Sequence, residues 1–227
     1  MTQASVFKGF PAETHRFIRG IRKNNTKEWF DAHRSDYDEH FVAVAKGFVE
    51  AIGPRLAKLA PKVVAIPKIN GSIFRINRDV RFSTDKRPYK DHLDFRFWEG
   101  EKKTANSAFF LRLSPDALYI GTGNHMTNPD QLKSLRKAVA DEPTGSELAA
   151  IAKNLRKQGY EIDGKHYKRI PRDFPEDCPA AEFLLHNSLY VVHQEKAKIA
   201  SQADLLNICI KHWKTFARLH HWLTANL

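Results

Sequence analysis

The sequence predicts an α+β fold with a central antiparallel sheet flanked by N-terminal and C-terminal helices. Helical periodicity and capping residues occur near both ends of the chain, whereas its middle contains short segments rich in β-branched and aromatic residues. The 227 residues contain no internal repeat, no low-complexity tract and no Gly/Ser linker. These observations favour a single domain over residues 1–227.

The N-terminal part has the pattern of amphipathic helices. Pro11 is placed to open a first helical turn, and Thr26 can cap a second helix. Apolar side chains then recur every three or four residues in a long segment that we expect to end near Gly53-Pro54. The expected core stripe of this segment consists of Phe30, His33, Tyr37, Phe41, Val44 and Phe48.

Four segments in the middle of the chain have the composition of strands. They are Ser72–Ile76, His92–Trp98, Ser107–Leu113 and Ala117–Gly121. Glu99-Gly100-Glu101 and Ser114-Pro115-Asp116 are suited to hairpin connections. The segments therefore indicate an antiparallel meander.

The C-terminal part returns to helical periodicity, with two short strand-like pieces between the helices. Asn128-Pro129 is a cap followed by proline at the first helical position. The other expected elements are a helix over Ser146–Gln158, strands at Tyr160–Ile162 and Leu189–His193, and a closing helix capped by Ser201.

The composition is that of a basic, cytoplasmic protein. There are 37 Lys+Arg against 26 Asp+Glu, for a formal net charge of +11, which favours partners that carry phosphate or another acidic group. With only Cys178 and Cys209, the chain has no disulfide framework. No signal peptide and no membrane-spanning segment are apparent in the sequence.

The positive charge is concentrated in two blocks. Residues 62–103 contain 11 basic and 6 acidic residues, and residues 153–172 contain 7 basic and 2 acidic residues. Guanidinium groups make two-pronged contacts to phosphate oxygens, and lysine adds a point charge. The predicted ligand-binding residues are Arg75, Arg78, Asp79, Arg81, Phe82, Lys86, Tyr89 and Lys90 from the first block, and Lys168, Arg169 and Arg172 from the second. We expect both blocks to contact one ligand, with Asp79 orienting arginines and Phe82 and Tyr89 offering flat apolar surfaces.

Three segments carry a resemblance to a known family. They are Asn24–Tyr37, with its Asn-Asn-Thr-Lys-Glu-Trp-Phe run, the long motif Ser72–Lys90, and Tyr167–Phe174 followed by an acidic, proline-containing stretch. Together they resemble a bacterial family known as domain of unknown function 2461, over roughly residues 7–227. The resemblance implies a shared α+β fold and a shared site, and it implies no particular reaction.

Metal and nucleophile chemistry have little support in the sequence. His33, Asp36 and His40 have helical spacing, but we interpret them as a core residue and an ordinary polar pair. No cysteine pair has zinc spacing, and no nucleophile or phosphate-loop motif is present. A nuclease-like set from Pro115-Asp116 and Asp163-Gly164-Lys165 is interpreted as two turns. We therefore predict no metal and no cofactor.

Three functions stay open at this point. The leading hypothesis is a protein that binds a phosphate-bearing ligand, with nucleic acid favoured over a small phosphate compound. The first alternative is an enzyme acting on a phosphoester or nucleotide, in which His92 or Tyr89 moves a proton because nearby positive charge lowers the pKa of each. The second is an interaction module for an acidic protein. Catalysis and oligomeric state are not determined by these patterns.

Overall fold

The computed structural model describes residues 7–100, 107–125 and 128–227. The N-terminal helical region contains α1 (Ala12–Lys23), α2 (Lys27–Ala32), α3 (Arg34–Asp36), a π-helical segment (Tyr37–Ala43) and α4 (Val44–Leu56). The later helices are α5 (Pro129–Ala140), α6 (Glu142–Lys157) and α7 (Leu205–Asn226), and there are 3-10 turns at Ala181–Leu185 and Ala197–Ser201. Within the described ranges, no helix is both long enough and apolar enough to cross a bilayer.

The strands form one antiparallel sheet, which confirms the predicted fold class. They are β1 (Val63–Val64), β2 (Leu93–Glu99), β3 (Ala108–Leu113), β4 (Ala117–His125), β5 (Asp163–Lys165) and β6 (His186–Lys196). Their order across the sheet is β1-β2-β3-β4-β6-β5. The meander β2-β3-β4 is the one that the sequence predicts, and the turn at Ser114 is closed by its backbone N–H donating to the Ala117 carbonyl.

Helix caps follow the expected chemistry. The Thr26 hydroxyl accepts a hydrogen bond from the Trp29 N–H at 3.2 Å, and the Asn128 carboxamide accepts one from the Gln131 N–H at 2.8 Å. Each cap satisfies an N–H group that the first helical turn leaves without a helical partner.

The predicted long amphipathic segment is interrupted by wider turns. Phe41 is buried as expected, but the π-helical segment places Ala45 in the core and leaves Val44 only partly buried. A π-turn accommodates one extra residue and so shifts the buried stripe along the sequence. His33 ends α2 and is half-buried, so its assignment to the core stripe is wrong.

Three further sequence assignments are corrected. Ser72–Ile76 forms only isolated bridges, one of them Ile73 to Phe95. Tyr160–Ile162 is not a strand, and β5 begins at Asp163. Ser201 lies in a 3-10 turn and its hydroxyl pairs with His15 Nε2 at 3.0 Å, so it does not cap α7.

The chain groups into two compact units, each made of separate stretches. The first unit comprises residues up to Phe97 together with Phe110–Ile120 and Gln194–Lys211, and the second comprises Trp98–Phe109, Gly121–His193 and His212–Leu227. The sequence-based prediction of one domain over 1–227 stays a prediction.

The first unit has an aromatic core. Phe48 is fully buried, and its ring lies 4.8 Å from that of Phe95 and 5.5 Å from that of Phe10. A second group of rings surrounds Phe17, which lies 5.5 Å from Phe41 and 5.7 Å from Trp29. Such pairs add to the free energy of apolar burial because ring edges and faces attract.

The second unit has its own core around Trp213. This ring is fully buried, and its Nε1–H donates to the Gly121 carbonyl at 3.0 Å. Gly164 in β5 has φ +112, and a Cβ there would lie 2.0 Å from the Ser188 carbonyl oxygen. Glycine is therefore required at this irregular point of the β5–β6 pairing, and Asp163-Gly164-Lys165 is a strand, not the turn that we expected.

Candidate functional site

The first basic block forms a loop with an ordered base in the first unit. We call residues 75–90 the basic loop. Its two ends pair in antiparallel fashion, because the Arg78 N–H donates to the Pro88 carbonyl and the Lys90 N–H donates to the Ile76 carbonyl, both at 2.8 Å. These bonds bracket the bridge between Asn77 and Tyr89. These hydrogen bonds therefore fix the positions of both ends of the basic loop.

Asn25 holds the returning end of the basic loop. Its Nδ2 donates to the Tyr89 carbonyl at 3.0 Å, and its Oδ1 accepts from the Tyr89 N–H at 2.9 Å. The side-chain amide thus acts as an additional strand would, because it satisfies both backbone groups of one residue.

Replacing this clamp should destabilise the first unit. We expect Asn25→Ala to lower the free energy of unfolding by about 1 kcal/mol, because two partly buried backbone groups lose their partners. Urea denaturation measures this change. The matched control is Asn24→Ala, which removes only an exposed bond to the Gly20 carbonyl. Equal effects of the two variants would contradict the clamp.

Two Asp-x-Arg pairs shape the basic loop. Asp79 Oδ1 accepts from the backbone N–H of Arg81 at 3.3 Å, and the carboxylate binds the Arg81 guanidinium at 2.7 and 3.0 Å. Asp85 holds Arg87 in the same way, at 3.1 Å for the backbone and 2.7 Å for the closest guanidinium contact. Each aspartate therefore fixes both a turn of the backbone and the direction of an arginine side chain.

The Asp85 carboxylate also binds a second arginine, Arg78. Arg78 Nη1 lies 2.8 Å from Asp85 Oδ2 and donates to the Arg87 carbonyl at 3.0 Å. Hydrogen bonds from Arg87, then from Arg78, hold the pKa of Asp85 well below its ordinary value. Lys86 donates to the Val80 carbonyl at 3.1 Å. Asp79 thus orients Arg81 as predicted, but Arg78 is oriented by Asp85.

Three cations lie together beside the base of the loop. We call Arg75, Lys90 and Arg112 the cation cluster. Lys90 is half-buried with its Nζ 5.0 Å from the centre of the Phe74 ring. Burial lowers the pKa of Lys90, the negative charge of Asp94 raises it, and the positive charges of Arg112 and Arg75 lower it further. Among the described residues, neither Arg75 nor Lys90 forms an ion pair, so an anion would be favoured here.

The third cation belongs to a network of ion pairs and hydrogen bonds. Arg112 on β3 binds both carboxylate oxygens of Asp94, at 2.6 and 3.1 Å. Asp94 Oδ2 also lies 3.2 Å from His92 Nε2, and His92 Nδ1 lies 3.1 Å from Asp91. Asp91 binds Arg22, which reaches Asp116 in turn. This network ties α1, β2, β3 and the β3–β4 turn together within the first unit.

Within this network, Asp94 is the group that the fold perturbs most clearly. Its side chain is only 12% exposed. Burial alone would raise the pKa of Asp94, but the hydrogen bonds from His92 and Arg112 outweigh burial and lower the pKa to about 2. Asp94 is therefore a charged group at neutral pH and limits the positive charge around Arg112.

Tyr89 and His92, the two residues considered for proton transfer, both contact other groups of the protein. Tyr89 is 7% exposed, and its ring stacks on Phe30 at 4.5 Å. Burial, followed by the negative charges of Asp31 and Glu28, raises the pKa of Tyr89. The expectation that positive charge lowers this pKa is wrong, and the flat face of the Tyr89 ring packs on Phe30 within the protein. Both ring nitrogens of His92 face carboxylates instead of the arginines.

The second basic block lies in the second unit, where it runs from the end of α6 through β5 into a loop at residues 166–172. The N–H groups of His166 and Tyr167 donate to the Leu185 carbonyl at 2.9 and 2.8 Å. The Arg136 guanidinium lies 4.8 Å from the centre of the Tyr167 ring. Beyond this anchor the exposed cations are Lys165, Lys168, Arg169 and Arg172, none of which forms an ion pair within the part of the chain that the structure describes. A turn from Pro171 to Phe174 presents Arg172.

Several residues that build the site were not identified from the sequence. Asn25 was noted only as part of the Asn24–Tyr37 motif, and no role was assigned to it. Arg112 and Asp94 lie in strands, where the alternation of side chains between the two faces does not indicate a functional role. Their contact depends on the pairing of β2 with β3. Of the predicted first-block residues, Phe82 is 95% exposed and the cations lie in the basic loop or at its base.

Comparison with known proteins agrees with the resemblance carried by the loop motifs. A search of curated proteins finds no match to the chain. The model of one protein family, described as "Conserved hypothetical protein (DUF2461)", matches residues 13–222. This match covers the described elements from α1 to most of α7, including the basic loop, the cation cluster and the second basic block. The chain therefore belongs to the DUF2461 family.

Proposed function

We propose that this protein binds a phosphate-bearing ligand through the cation cluster and the basic loop, and that the ligand is a nucleic acid. The observation that carries the proposal is that neither Arg75 nor Lys90 forms an ion pair among the described residues. Lys90 lies close enough to Arg75 and Arg112 for their positive charges to lower its pKa, whereas the negative charge of Asp94 raises it. Placing a half-buried lysine beside two exposed arginines costs free energy, which a bound phosphate would offset.

The geometry of the basic loop supports the same function. Arg81 and Arg87 are held by aspartates two residues earlier, and the loop ends are fixed by backbone pairing. Side chains that are already ordered lose less conformational entropy when they bind a ligand. Nucleic acid is favoured over a small phosphate compound because the formal net charge is +11 and a second basic loop lies elsewhere in the chain.

The enzymatic alternative lacks a supporting observation. Each ring nitrogen of His92 lies within 3.2 Å of a carboxylate oxygen, so both are already engaged in contacts within the protein. Tyr89 is buried, and burial raises the pKa of its hydroxyl, which makes it a weaker acid. The binding hypothesis needs neither residue to react.

Binding can be tested with three polyanions of different chemistry. Fluorescence anisotropy would report the affinity for a labelled single-stranded oligonucleotide, with inorganic polyphosphate and poly-glutamate as competitors. We expect the oligonucleotide to bind with an affinity that falls as salt rises, and polyphosphate to compete better than poly-glutamate. Failure of both phosphate polymers to bind would contradict the proposal. Preference for poly-glutamate would favour the acidic-protein alternative.

The second basic block has its own test. If Lys168, Arg169 and Arg172 contact the same ligand as the basic loop, Arg172→Ala should weaken oligonucleotide binding by on the order of 1.5 kcal/mol, roughly tenfold, because a charge-assisted contact is lost. Anisotropy measures the change. Lys46→Ala, an exposed lysine on α4, removes the same charge outside both loops and serves as control. An affinity unchanged by Arg172→Ala would restrict the ligand to the first block.

A further inference from the structure

The tip of the basic loop carries an unusually exposed aromatic ring. Phe82 is 95% exposed, and within the described residues Val192, at 37%, is the other large hydrophobic side chain classed as exposed. Single exposed apolar residues are common on protein surfaces and need no explanation by themselves. The surroundings of Phe82 are what distinguish it.

The ring is held next to a guanidinium. The Ser83 N–H donates to the Val80 carbonyl at 3.3 Å, which closes a turn with Arg81 and Phe82 at its centre. Asp79 binds both the backbone and the side chain of Arg81. The Arg81 guanidinium carbon lies 5.8 Å from the centre of the Phe82 ring. A flat apolar surface and an oriented cation are thus presented side by side, at the tip of a loop whose base adjoins the cation cluster.

We infer that this loop tip selects single-stranded nucleic acid, with Phe82 stacking on an unpaired base while Arg81, Lys86 and the cation cluster contact the neighbouring phosphates. The inference rests on the proposed function and goes further by naming the form of nucleic acid. Every base offers a flat face, so stacking on an aromatic side chain binds single strands with little regard to sequence. In a duplex those faces are covered by neighbouring base pairs and are out of reach of a loop-tip ring.

The charge of Arg81 is offset by Asp79, so we expect its contact with a phosphate to be a directed hydrogen bond and not a simple attraction of charge. The pair is exposed, and hydrogen bonds from Arg81 lower the pKa of Asp79, so both groups are charged at neutral pH. A guanidinium whose charge is balanced by a carboxylate can still stack and donate hydrogen bonds, but the pair adds little net charge. A ligand that used only charge would gain little from this tip, whereas an unpaired base would gain a contact surface.

The test compares Phe82→Ala with the unchanged protein on three probes: a single-stranded oligothymidine, a DNA duplex of the same length, and inorganic polyphosphate. We expect Phe82→Ala to weaken oligothymidine binding about tenfold, since one stacked base is lost, and to leave polyphosphate binding unchanged within about twofold. Phe82→Tyr should restore the affinity because it restores a flat ring, whereas Phe82→Leu, which is apolar without a flat face, should not. The site is exposed, so these variants are expected to fold.

A second readout follows the ring directly. In Phe82→Trp, oligothymidine should quench tryptophan fluorescence more strongly than it does in the unchanged protein, whose four tryptophans provide the baseline. An equal loss on all three probes, full affinity in Phe82→Ala or Phe82→Leu, or tighter binding of the duplex would overturn the inference while leaving the proposed function standing. Absence of binding to both oligothymidine and polyphosphate in the unchanged protein would instead remove the proposed function, and the inference with it.

Discussion

Removing Arg75 and Lys90, the two members of the cation cluster that form no ion pair among the described residues, should nearly abolish ligand binding. We expect the double variant Arg75→Ala/Lys90→Ala to weaken oligonucleotide binding about 100-fold, because two charge-assisted contacts of roughly 1.5 kcal/mol each are lost. Lys90 is half-buried beside Phe74, so its contact with a phosphate would be partly shielded from water and hence stronger than an exposed contact. Fluorescence anisotropy over a salt series provides the measurement.

The salt dependence distinguishes phosphate contacts from a general loss of charge. For single strands, each lost phosphate contact should flatten the slope of log affinity against log salt by about 0.7, so the double variant should lose about 1.4. The control Lys46→Ala/Lys58→Ala removes two exposed lysines of the same unit that lie outside the basic loop. A similar loss of affinity in this control would show that net charge, and no particular site, governs binding.

Neutralising Asp94 should have the largest effect on the stability of the first unit. Asp94 binds Arg112 and faces His92, and its pKa is lowered from the ordinary value of 3.8 to about 2. A carboxylate whose pKa is lowered in the folded state stabilises that state when it is ionised. We therefore expect Asp94→Asn to lower the free energy of unfolding at pH 7 by about 2 kcal/mol, as measured by urea denaturation.

The pH dependence of this difference follows from the sign of the shift. Above pH 4 to 5 the contribution of Asp94 to the free energy of unfolding is present in full, and it is lost as the pH falls through the pKa of the folded state. The difference in the free energy of unfolding between the unchanged protein and Asp94→Asn should therefore fall below half of its value at pH 7 by about pH 2.5. Asp116→Asn is the control, since the Asp116 side chain is 78% exposed and its pair with Arg22 should contribute little. A gap that stays constant between pH 5 and 2.5 would show that the aspartate acts through its shape and not through its charge.

Much of the secondary structure could be predicted because its causes are local. The caps at Thr26 and Asn128 act within one helical turn, and Ser114-Pro115-Asp116 closes its own hairpin. Errors arose where a distant partner decides the outcome. Ser201 had the chemistry of a cap, but His15 takes its hydroxyl, and 186 positions separate the two residues.

For the candidate site, the sequence by itself determined which groups are available. The run of cations and aspartates from Arg75 to Lys90, the Asp-x-Arg spacing and the apolar residue Phe82 are all local features, and two-residue spacing is enough to let each aspartate bind its arginine. These features predict an anion-binding loop without reference to the rest of the chain.

Only the tertiary structure decided which of these groups stay free to bind and which become structural. Burial against Phe30 removes Tyr89 from the exposed surface, two carboxylates occupy His92, and strand pairing brings Arg112 to Lys90 and Asp94. The physical reason is that ionisation, burial and hydrogen bonding depend on the neighbours of a group in space. Asn25 and Tyr89 are 64 positions apart, and no local pattern indicates that they meet.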